Sequence, residues 1–311
     1  MITIKKIEIK DYFGKGNFEW NLDPVVNILG GKNGSGKSSL FRLCNLLLSS
    51  DKMEENTDRH FSALFGKVTL TFSNDWTLTW RRVQKTDIYL IDRITSPPAY
   101  RIDAITILDA EGQKRKFSEL RQHVQVFMIN SFEQHAAKAA QYEQQPKSLP
   151  LDNPTMLDLM IKDQIDLRNK DFAQAMERFV DSPEEDETVQ LKYVQNYRKI
   201  YVSLAHFLKG YDFKSAFKFT KNNQEIGYEY LSMGEKQILL LLLMVSNTNH
   251  QPCIFFMDEP DLSMHIDWKE ILVKELHELN PNMQIILSTH APSVITGWHD
   301  KVKEVSQLIK K

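Results

Sequence analysis

The stretch Gly30-Gly31-Lys32-Asn33-Gly34-Ser35-Gly36-Lys37-Ser38-Ser39 restricts what this chain can fold into more than any other part of it. Gly31, Gly36, Lys37 and Ser38 fill the pattern G-x-x-x-x-G-K-[ST], after an apolar run at residues 25–29 and before a helix-like run at 40–48. Strand, glycine loop and helix in that order form a phosphate-binding loop. Glycines let the backbone take positive φ, so that successive N–H groups face phosphate oxygens, and the start of the helix adds partial positive charge. Lys32, Asn33, Gly34, Ser35 and Ser39 complete the contact surface. Lys37 is placed to reach the β and γ phosphates of ATP, and Ser38 to hold Mg²⁺ through its hydroxyl.

A composition of 42% hydrophobic and 26% charged residues over 311 positions suits one or two globular domains. The 39 basic and 41 acidic residues leave a net charge of −2, so nucleic acid would need a local patch such as Arg81-Arg82 or Lys114-Arg115-Lys116. Cys44 and Cys253 lie in apolar runs and read as buried thiols. The opening residues do not form a signal peptide, and the apolar run 238–245 is too short to span a bilayer, so a cytoplasmic protein without membrane contact is expected.

Ile2, Ile4, Ile7 and Ile9 predict an opening strand, and residues 18–22 a second. Strands are expected again at 67–72, 76–83, 88–94 and 101–108, forming an antiparallel sheet beside the nucleotide core, and at 124–129. From 136 to 211 the period becomes helical, with Phe172, Met176, Phe179 and Val180 on one stripe and Leu191, Val194, Tyr197, Tyr201, Leu204 and Leu208 on another. The acidic linker 181–187 divides them into a helical hairpin. Residues 141–154 read as a polar, mobile stretch, and a β-hairpin is expected from 213–219 and 226–230 around Lys221-Asn222-Asn223. The resulting division is a nucleotide-binding lobe at 1–135, an inserted helical region at 136–225 and a carboxy-terminal lobe at 226–311.

Leu231-Ser232-Met233-Gly234-Glu235-Lys236-Gln237 precedes the apolar run at 238–245. A helix starting near Gly234 directs free N–H groups outward, and Ser232, Gly234 and Glu235 at its start form a second anion-binding set. One chain cannot readily close both sets on one nucleotide, which favours two subunits facing head to tail. Residues 252–257 form an apolar run ending in Asp258-Glu259, as a buried parallel strand presents acids at its carboxyl end. Adjacent strand residues point to opposite sides, so Asp258 is assigned to the Mg²⁺ shell and Glu259 to the general base. Asp261-Leu262-Ser263-Met264-His265 is suited to cross between subunits. After the strand at 283–287 comes Ser288-Thr289-His290-Ala291-Pro292, with His290 placed to donate to the γ phosphate.

Taken together, GGKNGSGKSS, LSMGEKQ, CIFFMDEP, DLSMH and STHAP resemble the ordered motifs of an ABC-type ATPase head, in the branch holding SMC, RecF and the overcoming-lysogenisation-defect enzymes. The resemblance covers both ends of the chain but not the inserted helices. It implies an α/β P-loop NTPase head, with a mixed core sheet flanked by helices, an antiparallel β subdomain and the helical insertion. It further implies ATP sandwiched in a homodimer, slow hydrolysis, and a glutamine near Mg²⁺ and the attacking water, here Gln134 with Gln125 as the alternative. The adenine contact is expected near Tyr12 and Phe13. No long coiled-coil arm and no trailing nuclease domain are expected, which makes this a minimal head. Such heads work with a separate effector protein, commonly in bacterial defence against phage. An ATP-gated DNA-binding or repair clamp is the alternative, and a transporter subunit a more distant one.

Overall fold

The computed structural model describes residues 2–50, 60–61, 63–81, 105–130, 155–181, 187–214 and 217–310. Its first part comprises β1 (Ile4–Lys10), β2 (Asn17–Asn21), β3 (Val26–Gly30), α1 (Lys37–Ser49), β4 (Lys67–Phe72), β5 (Thr77–Arg81), β6 (Ile105–Leu108), α2 (Phe117–His123) and β7 (Val126–Asn130). Two long helices, α3 (Met156–Asp181) and α4 (Glu187–Phe207), and the short strands β8 (Asp212–Lys214), β9 (Lys218–Lys221) and β10 (Gln224–Ile226) follow. The last part holds α5 (Met233–Ser246), β11 (Cys253–Asp258), α6 (Ile266–Leu279), β12 (Met283–Ser288), β13 (Val302–Glu304), α7 (Val305–Leu308) and β14 (Ile309–Lys310). Among the described residues no helix is long and apolar enough to cross a membrane.

The fold is α/β and holds parallel and antiparallel strands, divided between separate sheets. A five-stranded parallel sheet has the order β13-β3-β12-β11-β7, and a six-stranded antiparallel sheet the order β14-β2-β1-β4-β5-β6. The central strands β3, β11 and β12 are buried along their whole length, which explains their continuous apolar sequence: both faces of the sheet are covered. Ile254, Phe256 and Ile286 pack toward α1 and the antiparallel sheet, whereas Phe255, Met257, Ile285 and Leu287 pack toward α3, α4, α5 and α6. In α5 every residue from Ile238 to Leu243 is inaccessible, as expected of a helix that is apolar on all sides. Burial raises the thiols of Cys44 and Cys253 to about 12, so both stay protonated.

Ile4, Ile7 and Ile9 are all buried although 4 and 7 are out of phase for a regular strand. A bulge resolves this, because Ile4 pairs with Phe72 while Lys6 pairs with Thr71. Asn222 and Asn223 both take positive φ and close the β9–β10 hairpin with a two-residue turn. The strand expected at 226–230 is instead the end of β10 followed by a 3₁₀ turn at Tyr228–Tyr230. The strand expected at 88–94 and the polar stretch 141–154 lie outside the described residues.

Helices α3 and α4 pair through Phe172, whose ring lies 4.6 Å from that of Tyr197, and through Phe179 against Tyr193. Two members of the expected stripes, Val180 and Leu191, are exposed toward the far end of the pair. At the near end Leu157, Ile161, Ile165, Ile200 and Leu204 share one core with α5 and β11. The division drawn between 225 and 226 therefore falls inside β10, and the helical insertion is rooted in the core of the carboxy-terminal lobe.

Candidate functional site

The register of the parallel sheet gathers the chemistry at one edge. Glu304 pairs with Gly30, Leu29 with Ser288, Ser288 with Asp258 and Asp258 with Asn130, all at the carboxyl ends of their strands. Beyond β3 the chain turns through Gly31, Gly34 and Gly36, all at positive φ, and enters α1 at Lys37. Gly36 cannot be replaced without strain: a Cβ there would lie 2.3 Å from the Phe13 ring and 2.7 Å from the Tyr12 hydroxyl. That hydroxyl donates to the carbonyl of Ser35 at 2.9 Å. Tyr12 is wholly buried, so it braces the loop and presents no ring to a base, whereas Phe13, the other residue of the expected adenine contact, is partly exposed. Lys32, Asn33 and Gly34 are exposed, and Ser35, Ser38 and Ser39 partly so.

Lys37 is 5% exposed. Its ammonium donates to the Gly31 carbonyl at 2.9 Å and lies 2.9 Å from Nε2 of His290. Burial lowers its pKa, while the charges of Glu259, Asp258 and Glu304 oppose that shift. Nε2 of His290 is also 3.3 Å from a carboxylate oxygen of Glu259. The ring can accept from Lys37 or donate to Glu259 through this nitrogen, one at a time, according to its tautomer. A cleft of about 370 Å³ opens beside this cluster, between Gly30–Lys32 and Thr289–Ala291.

Asp258 is inaccessible to solvent. Its Oδ1 accepts from the Ser288 hydroxyl at 2.6 Å, and its Oδ2 is buried with no hydrogen-bond partner among the described residues. A buried carboxylate oxygen without a donor is costly unless a cation completes it. This orphan atom, a buried carboxylate oxygen at the carboxyl end of β11, fits a divalent metal. Glu259 is not simply the next residue of the strand. It takes φ 50°, a left-handed conformation uncommon outside glycine, while its N–H donates to the carbonyl of Ser288 at 3.0 Å and reaches the Ser288 hydroxyl at 3.2 Å. The separation of the two acids thus comes from a turn at Glu259, not from the strand alternation expected.

Ser232 caps α5: its hydroxyl accepts from the N–H of Glu235 at 3.4 Å, and the Glu235 carboxylate accepts from the N–H of Ser232 at 2.7 Å. The other Glu235 oxygen accepts from Tyr211 at 3.0 Å. Its carboxylate is thereby engaged in shaping the helix start. Gly234 is buried, and a Cβ there would meet the carbonyl oxygen of Ser263 at 2.5 Å, so this glycine admits the loop after β11 instead of leaving backbone open. Gln237 donates to the Pro260 carbonyl at 2.8 Å, and Asp261 accepts from the Thr289 hydroxyl at 2.9 Å. Ser232 and Met233 remain exposed.

Gln134 lies outside the described residues. Gln125 precedes β7, at the opposite edge of the sheet from Asp258, so the alternative metal-side glutamine is excluded by strand direction. Among the basic clusters, Arg115 is engaged by Asp109 at 2.7 Å. Sequence reasoning missed Tyr12 as a brace, Asn130 beside Asp258, and Ser288.

A family profile described as "AAA domain, putative AbiEii toxin, Type IV TA system" matches residues 26–296. The chain is 34% identical over 100 residues to a protein named retron Vc95 probable ATPase from Vibrio cholerae serotype O1 biovar El Tor, a stretch covering 28% of this chain and 20% of that protein. Over 85 residues it is 35% identical to the retron Ec83 probable ATPase of Escherichia coli, covering 24% of this chain and 16% of that one. The matches thus span a fifth or less of these relatives. The Smc head domain with an extended coiled coil, bound to the carboxy-terminal domain of ScpA and derived from Pyrococcus furiosus, aligns with a TM-score of 0.53 at 13% identity, over 95% of this chain and 91% of that one. At that identity the likeness establishes the fold alone, that of an Smc head domain.

Proposed function

This chain belongs to the AAA-domain family described as putative AbiEii toxin, Type IV TA system, and from that premise we propose that it binds and hydrolyses ATP as a nucleotide-gated switch. One observation carries the reading: Lys37, the unpaired Oδ2 of Asp258, Glu259 and His290 gather beside the glycine loop at one edge of the parallel sheet. The loop's N–H groups and the buried ammonium of Lys37 would bind the β and γ phosphates. Ser38 and Asp258 would hold Mg²⁺, which supplies positive charge to the phosphate oxygens when bound. Glu259 would accept the proton of the attacking water, and His290, within reach of both Lys37 and Glu259, would orient toward the γ phosphate.

The exposed apolar side chains Met233, Leu262 and Ile266 lie on the start of α5, the loop after β11 and the start of α6. Together with the exposed cap of α5 they suit a second copy of the chain, arranged head to tail around ATP. Control of a separate effector, in bacterial defence against phage, is the fuller reading; the names of the retron relatives and the family's description support it. The DNA-clamp alternative has less support, since Arg115 is already paired with Asp109. The test is the solution mass of Glu259→Gln by light scattering with and without Mg²⁺ and ATP. A shift from one chain to two is expected, and a mass fixed at one chain counts against the ATP-gated dimer.

A further inference from the structure

Ser288 does more than end a buried strand. It is fully inaccessible, and the β11–β12 register sets it directly beside Asp258 on the same face of the sheet. Its hydroxyl donates to Oδ1 of Asp258 at 2.6 Å and accepts from the N–H of Glu259 at 3.2 Å, while its carbonyl accepts from the same N–H at 3.0 Å. Both capacities of one hydroxyl are thus directed at two consecutive acids. We propose that Ser288 is the positioning residue for both carboxylates of the hydrolytic site, turning Oδ2 of Asp258 toward the metal and holding Glu259 in its left-handed conformation. This rests on the ATPase reading of the site.

The physical grounds are geometric. A carboxylate buried with one free oxygen can rotate about its χ2 torsion, a broad and soft one, unless the other oxygen is fixed. The 2.6 Å bond to Ser288 fixes it, since a hydroxyl donating to a charged oxygen makes a short and strong bond. Glu259 has a second problem, because a left-handed non-glycine residue persists only where its surroundings hold it. Ser288 supplies two acceptors for its N–H. A threonine at 289 continues the same theme toward the next loop, through Asp261, so the exit of β12 ties the acids and the subunit-facing loop to one strand end.

The experiment compares ATP binding by calorimetry in a Glu259→Gln background, with Mg²⁺ titrated from none to saturation, for Ser288→Ala, Ser288→Thr and the unmodified residue. Ser288→Ala should leave metal-free ATP binding unchanged, since the glycine loop and Lys37 are untouched, and weaken the Mg²⁺ dependence by about 10- to 100-fold, the usual loss when a group orienting a metal ligand is removed. Ser288→Thr, which keeps the hydroxyl, should restore most of it. With Glu259 intact, Ser288→Ala should lower kcat at saturating Mg²⁺ with little change in KM for ATP. A purely structural role would lower melting temperature and leave the Mg²⁺ dependence alone. If the alanine variant does not fold, Ser288→Cys, with a feeble donor in the same place, carries the same expectation. Equal Mg²⁺ dependence with and without the hydroxyl overturns the proposal alone; no ATP binding by the unmodified protein overturns the ATPase reading and the proposal with it.

Discussion

Gly234→Ala separates the fold of the α5 start from its use. A Cβ at 234 would sit 2.5 Å from the carbonyl oxygen of Ser263, where ordinary contact begins at 3.4 Å, so about 0.9 Å of movement is required. The loop cannot yield freely, because Pro260 is held by Gln237 and Asp261 by both Thr289 and Lys269. Overpacking of this kind costs about 1–3 kcal/mol, while alanine in place of glycine in a helix returns about 1 kcal/mol. The net loss of stability is therefore about 0–2 kcal/mol, small enough for the variant to fold. Function should respond more steeply, since a misplacement near 1 Å is enough to cost on the order of 100-fold in rate. Urea unfolding, ATP affinity and steady-state turnover should show a modest drop in midpoint, normal affinity at the glycine loop, and turnover down by at least tenfold. A variant more stable by about 1 kcal/mol with unchanged turnover would show that helix propensity governs this position and refute the close-packing account.

Lys37→Ala should abolish tight ATP binding without lowering the melting temperature, because burial already disfavours the ammonium in the nucleotide-free protein; near-normal affinity by calorimetry would remove Lys37 from the phosphate site. Tyr12→Phe deletes the 2.9 Å bond to the Ser35 carbonyl and should cost about 1–1.5 kcal/mol in urea unfolding together with some ATP affinity. No change in either would mean that Tyr12 is only packing. Burial pushes the Glu235 carboxyl up, but the N–H and hydroxyl of Ser232, with Tyr211 and Lys221, outweigh it and hold the group below its ordinary 4.5. Its ionised form therefore adds stability above pH 4.5 that is lost as pH falls through the lower folded value, and Glu235→Gln, which still caps but does not titrate, should give a shallower acid limb in unfolding midpoints measured from pH 6 to 3.

What could be read from sequence and what could not divide along a physical line. The glycine loop was legible because its phosphate contacts come from consecutive backbone groups, and the Ser232–Glu235 cap because its partners are three residues apart. Gln125 qualifies from sequence only because strand direction is not visible there: in a parallel sheet only residues after a strand reach the site, and Gln125 precedes β7. Val180 and Leu191 fit the packed stripes by their period alone, yet α5 ends at Ser246, beside Arg168, and the helix pair continues beyond that contact. Ser288 is the instructive case. β11 and β12 are apolar on both faces, so neither shows the alternation that would fix how one slides against the other. A one-residue slip would put Leu287 beside Asp258 and turn Ser288 to the opposite face, leaving the carboxylate without its donor. The register that avoids this is set by contacts between residues thirty positions apart, which no local pattern in STHAP contains.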